Sequence, residues 1–234
     1  MSRYLLIFLF ISHFAWAQEP QTEIAVCSYE FFVENKLKSS IMESDYEYNE
    51  KLHKANQESL ALIKSAYDYV TDLITRKTKI DFLPISEISP YLDLNSTGYP
   101  TATLRQASKV SDFTHYACLD ISIEGNDTEK NHVTRPLPDG FNSGVYEHLY
   151  ITTFPSVRVD LMIGDKHGKK LKSYSGVYQM SDSIIVETKN ISSRDHNGNF
   201  RNDQFFNPEK IAFMAMLDSA VVDMMGKMEE FRYY

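Results

Sequence analysis

VRVDLMIGDKHGKKLKSYSG, residues Val157–Gly176, decides the fold class. Val157, Val159, Leu161 and Ile163 occupy every second position. That period puts one row of apolar side chains against a core and the other row outside. Asp165-Lys166-His167-Gly168 then supplies turn residues, and Lys170 to Gln179 reads as a returning strand. The stretch is a β-hairpin, and its buried face needs a layer to cover it.

The same period appears upstream. In Asp112 to Glu124, the residues Phe113, His115, Ala117, Leu119, Ile121 and Ile123 share one face, which implies a half-buried strand. On that face His115 reads as a hydrogen-bonded core histidine. Gly125-Asn126-Asp127 reads as its stop. Ile24 to Phe32 (IAVCSYEFF) mixes β-branched and aromatic residues and reads as an opening strand. Lys79 to Ser86 reads as a short strand whose Pro84 belongs at an edge or bulge, and Ile184 to Thr188 adds a further strand. Asn126 to Phe154 is polar, with Pro136, Pro138, Gly140 and Gly144, and reads as a long loop holding a short strand near Val145 to Thr152.

Between these strands the period changes to 3.6. From Tyr48 to Thr75, Leu52, Ala55, Leu62, Ile63, Ala66, Val70 and Leu73 fall near one face, uninterrupted by Pro or Gly. Thr101 to Lys109 reads as a second, shorter helix. Asn207-Pro208-Glu209 has the chemistry of a helix start, with a capping Asn and Pro at the first helical position. That helix should run to Phe231 and bury Met214, Met224, Met225 and Met228 with Ile211, Leu217 and Val221 as core. The expected architecture is α/β: a two-layer mixed sheet of about five strands, with the Tyr48–Thr75 and Pro208–Phe231 helices on one face.

The first seventeen residues carry a different message. Met1-Ser2-Arg3 is a short positive start, Tyr4 to Phe14 is apolar, and Ala15-Trp16-Ala17 is a small-x-small cleavage pattern. The apolar run is too short to span a membrane of ~30 Å, so residues 1–17 read as a cleaved signal peptide. Residues 18–234 then form a single domain with no stable membrane span after cleavage, in the periplasm or secreted. A net charge of -8 without a basic cluster argues against nucleic acid as a partner. Two cysteines remain, Cys27 and Cys118. In an oxidising compartment they suggest one disulfide, with two separate buried thiols as the other reading.

No catalytic motif appears. No two histidines have the i, i+4 spacing of a helical zinc site, and no CxxC occurs, so no metal is expected. Starting an EF-hand at Asp195 puts Phe200 where Gly is needed and Phe206 where Glu is needed, so Arg194 to Asn202 reads as a loop. Ser143-Gly144 and Ser175-Gly176 lack the flanks of a nucleophile elbow, and there is no Gly-rich phosphate loop for a cofactor. Asn95-Ser96-Thr97, Asn126-Asp127-Thr128 and Asn190-Ile191-Ser192 match glycosylation sequons, which matter only in a eukaryotic secretory pathway.

Three passages carry a resemblance: TEIAVCSYEFF as an opening strand, FTHYACLDISIEG as a central strand, and the Val157–Gly176 hairpin. Their order resembles the periplasmic α/β domains of bacterial envelope-assembly proteins. These include the amino-terminal domain of the Tol–Pal translocation protein, the curli-secretion lipoprotein and the penicillin-binding-protein activator lipoproteins. The chain lacks the anchoring Cys of the lipoprotein members. The resemblance implies a non-catalytic module that binds other proteins; together with the absence of catalytic motifs, the expectation is an envelope protein or glycan partner met at the Asn126–Phe154 loop. It also implies that the opening strand lies beside the Asp112–Glu124 strand, with Cys27 and Cys118 on the same outer face and bridged. A different class, an extracytoplasmic hydrolase with dispersed Asp, His and Ser, would be favoured by two or more of Asp160, Asp165, His167, His148 and His196 converging in one pocket.

Overall fold

In a computed structural model, the described residues are 22–41, 50–78, 80–95, 97–136, 145–191, 204–206 and 211–228. Strand β1 (Thr22–Val33) is followed by a 3-10 turn (Asn35–Leu37) and the short helix α1 (Lys38–Ile41). Helix α2 (Glu50–Lys77) leads to β2 (Ile80–Phe82), α3 (Ile85–Ile88) and α4 (Leu104–Val110). Then come β3 (His115–Pro136), β4 (Val145–Asp165), β5 (Lys170–Gln179), β6 (Ile184–Ile191), β7 (Gln204–Phe206) and α5 (Phe213–Met228).

The fold is α/β with a mixed sheet. Its order is β2-β1-β3-β4-β6-β7, with β5 also on β4, so seven strands stand among the described residues where about five were expected. β1 pairs with β2 and with β3 in parallel, and the other pairings are antiparallel. The Val157–Gly176 hairpin is present as β4 and β5, with Gly168 at φ 71° in its turn.

The extra strand length lies where a long loop was expected. β3 runs on to Pro136 and β4 begins at Val145, with residues 126–136 paired to 145–154 across a bulge between Asp127 and Glu129. β4 changes partner on its other edge at Pro155: Tyr146–Thr153 pairs with β6 and Ser156–Gly164 with β5. Proline has no N–H to donate, and its carbonyl accepts from Met180 N at 2.8 Å, in the segment joining β5 to β6. Gly125 and Pro155 face each other in the register, so residues read as a stop are a joint within two continuous strands.

One face of the sheet carries Ile24, Val26, Leu119, Ile121, Val159 and Leu161, all buried in the larger core. Ala66, Tyr67, Val70 and Ile74 from α2 and Phe213, Leu217, Val221 and Met224 from α5 belong to the same cluster. Each such buried side chain contributes roughly 1.5–3 kcal/mol of transfer free energy. α5 comes close to the sheet at Gly176 of β5: a Cβ there would lie 1.9 Å from Ala220 O. Among the described residues α5 starts at Phe213, and Ile211 N–H donates to Ser40 O at 3.0 Å rather than within the helix. The Asn207-Pro208 cap itself, the chain beyond Met228 and the 194–202 loop lie outside the described residues.

The opposite face is also covered at one end. Ala25, Cys27, Tyr116 and Cys118 are buried there under Ile88, Leu92, Leu104 and Ala107 in a second, smaller core. α4 enters it through a capping box between Thr103 and Gln106. The two cysteines therefore share a face, as expected, but that face is not an outer one. His115 is half-buried at the start of β3 with Thr114 Oγ1 3.3 Å from its Nδ1, and is not a core residue.

Candidate functional site: the cleft at Lys36

β1 ends before β3 does, and the chain solves the resulting edge with side chains. The last backbone bond between them is Glu34 N–H to Ile123 O, 2.9 Å. One step on, Gly125 N–H donates to Glu34 Oε2 at 2.9 Å, and Gly125 O accepts from Lys36 Nζ at 3.0 Å. Lys36 also donates to Asp127 Oδ1 and lies 2.9 Å from Glu34 Oε1. Three ammonium hydrogens meet three acceptors, although Lys36 is only 6% exposed. Two side chains replace the missing strand.

Gly125 is needed for this closeness. A Cβ there would lie 2.3 Å from Thr153 Oγ1 and 2.9 Å from Lys36 Cε. Thr153 Oγ1 is buried, close enough to Asp127 to favour its charged form yet without hydrogen-bond geometry to it. Burial opposes the charge on both Lys36 and Asp127, but their contact outweighs it. Lys36 is pushed above the usual lysine range, and Asp127 is held below the usual carboxylate range.

A cleft of about 370 Å³ opens beside this cluster, lined by Phe32, Glu34, Asn35, Lys36, Asp127, Lys130 and Ile151. Phe32, at the edge of this cleft, is 54% exposed. Lys130 Nζ stands at the rim, 3.4 Å from Asp127 Oδ2. The cleft therefore offers an aromatic ring, a rim ammonium and ion pairs already satisfied. It has no hydroxyl or thiol nucleophile among its lining residues.

Phe32 also belongs to an open stretch of the sheet's second face. Glu30, Asp120 and Asp160 stand at adjacent register positions on β1, β3 and β4. Asp120 is pushed up to about 6, by burial first and then by the carboxylates of Glu30 and Asp160. Arg158 Nε relieves Asp160, at 3.1 Å from Oδ2, and also donates to Ser175 Oγ at 3.2 Å.

Among the described residues, Asp160 is not brought to Asp165 and His167, and those two meet only within the hairpin turn. Asp165 Oδ1 accepts from the backbone N–H groups of His167 and Lys169 at 2.9 Å each, which is turn chemistry and holds its carboxyl below the usual range. Asp160 lies five strand positions away, roughly 16 Å along β4. The side chain of His148, and His196 altogether, lie outside the described residues. Among the described residues there is no group of three or more metal-ligating side chains, and no helix long and apolar enough to cross a membrane.

Sequence reasoning missed the Lys36 cluster. The residues that follow Phe32 are polar and carry neither strand nor helix period, and Gly125 read as a stop. The available signal was a Gly at the end of a clean alternating run, which also marks close approach of another group.

No protein-family profile and no curated protein matches the chain. Among solved structures, a Helicobacter pylori protein described as a homolog of a neuraminyllactose-binding hemagglutinin matches with a TM-score of 0.35 and 10% identity, over 91% of this chain and 87% of that one. The hypothetical protein CT253 from Chlamydia trachomatis matches with a TM-score of 0.33 and 12% identity, over 89% and 96%. Scores this low do not define a shared fold, and neither description names an envelope-assembly domain.

Proposed function

We propose that the chain is an exported, non-catalytic binding module of the cell envelope, periplasmic or secreted, whose partner is an envelope protein or glycan. The carrying observation is the state of the charges in the Lys36 cleft. Lys36 and Glu34 are each used up by internal partners, so neither is poised to move a proton. Recognition is left to the exposed Phe32 ring and the Lys130 ammonium. An exposed aromatic beside a fixed polar frame suits binding better than chemistry. The opening strand, central strand and hairpin that resemble envelope-assembly domains support the same reading. In this reading the partner meets the base of the paired extensions of β3 and β4, residues 126–136 and 145–154.

The test is a photo-crosslinking amino acid at position 32 of the full chain, produced in cells. A discrete envelope product is expected, reduced at least tenfold by Lys130→Glu, while Lys170→Glu on the distant hairpin leaves it unchanged. A product equally abundant in Lys130→Glu, or no product, overturns the assignment.

A further inference from the structure

Cys27 and Cys118 are free thiols with their Sγ atoms 3.9 Å apart, buried in the smaller core. Cys27 is the extra residue of a β-bulge: Val26 pairs with Ala117 and Ser28 with Cys118, leaving Cys27 between register positions. Its Sγ donates to Ala117 O at 3.2 Å. The backbone on both sides is tied down, by Ala102 N–H to Cys27 O at 2.9 Å and Tyr29 N–H to Pro100 O at 3.0 Å. Bringing the sulfurs to a bond of about 2.05 Å therefore falls to side-chain rotation at the bulge. Both cysteines belong to this core with the bond open.

We propose that Cys27 and Cys118 form a reversible dithiol–disulfide couple, closed and opened by exchange with an external disulfide or dithiol without unfolding. This inference does not rest on the proposed binding function.

Cys118 reacts first. It is 8% exposed where Cys27 is fully buried. Contact with the Cys27 sulfur lowers its thiol, whereas the same contact and burial push Cys27 up. The Cys118 thiolate attacks one sulfur of an external disulfide, forms a mixed disulfide and releases one thiolate. That thiolate takes up a proton. Cys27 then loses its proton to solvent and attacks the Cys118 sulfur, releasing the second external thiol. Two protein thiols are oxidised, one external disulfide is reduced to two thiols, and no other reagent is consumed.

The purified full chain is incubated with oxidised glutathione in native buffer. The expected product has lost the mass of two hydrogen atoms and contains a linked pair of peptides bearing Cys27 and Cys118. Dithiothreitol reverses it with an unchanged circular dichroism spectrum. Under the same conditions Cys27→Ser is expected to stop as a stable glutathione adduct on Cys118, and Cys118→Ser to remain unmodified. Two stable glutathione adducts on the wild type, or linkage only in denaturant, would overturn the couple. Modification of Cys27 in Cys118→Ser as fast as of Cys118 in Cys27→Ser would overturn the order of attack, and with it the role given to burial.

Discussion

Lys36 Nζ donates to Gly125 O at 3.0 Å across 89 residues of chain. It fills the place where the next residues of β1 would have paired with β3. An edge strand leaves its backbone groups bare, and here a buried ammonium and the Glu34 carboxylate cover the first of them.

Lys36→Met should destabilise the protein by about 3 kcal/mol, because the Glu34 and Asp127 carboxylates would be left without their buried counter-charge. Chemical denaturation at pH 7.5 measures this. Asp127 is held low, so its share of stability is present above the ordinary carboxylate pKa and is lost as pH falls below it. The gap between wild type and Lys36→Met should therefore shrink as pH falls below the ordinary carboxylate pKa. A gap of the same size there would show that the carboxylates are not the cause.

Two glycine substitutions should rank in a set order. At Gly176 an added Cβ meets backbone of α5, Ala220 O at 1.9 Å and Met224 N at 2.6 Å. At Gly125 it meets side chains only, Thr153 Oγ1 at 2.3 Å and Lys36 Cε at 2.9 Å. Side chains can give way and a packed helix cannot. Gly176→Ala is expected to cost roughly 3 kcal/mol and Gly125→Ala roughly 1–2 kcal/mol, within the range for overpacking. The reverse order in thermal melts would contradict this account of how α5 seats on β5.

Asp120→Asn should stabilise the protein at neutral pH. The folded carboxyl, at about 6, binds its proton more tightly than in the unfolded chain. Its contribution is fullest below the ordinary carboxylate pKa and is lost as pH rises through about 6. At pH 7.5 the charged, crowded Asp120 is a liability, and removing it should yield on the order of 1 kcal/mol after allowing for solvent screening. The advantage should vanish near pH 4. Equal effects at both pH values would rule out charge crowding with Glu30 and Asp160.

Export predicts a defined amino terminus. Intact mass of the extracytoplasmic form should correspond to a chain beginning at Gln18. A membrane-bound form retaining Met1 would contradict cleavage after Ala17.

Local periodicity carried much of the architecture. The alternation in Ala117–Ile123 and Val157–Ile163, the Asp165–Gly168 turn and the 3.6 period in α2 each follow from neighbours within a few residues. So they are legible in the sequence. The β3–β4 arm was not legible, because Gly125 read as a stop and Pro136 as part of a loop. Those residues are strands because β6 supplies a second partner to β4 from more than thirty positions away. The site was hidden for the same reason. Glu34 and Lys36 sit in a polar stretch that looks solvated, and Phe32 looks like one more strand aromatic. Burying a lysine ammonium is unfavourable until an acceptor set encloses it. Two of its three acceptors, Gly125 O and Asp127, arrive only when β3 is laid beside the end of β1.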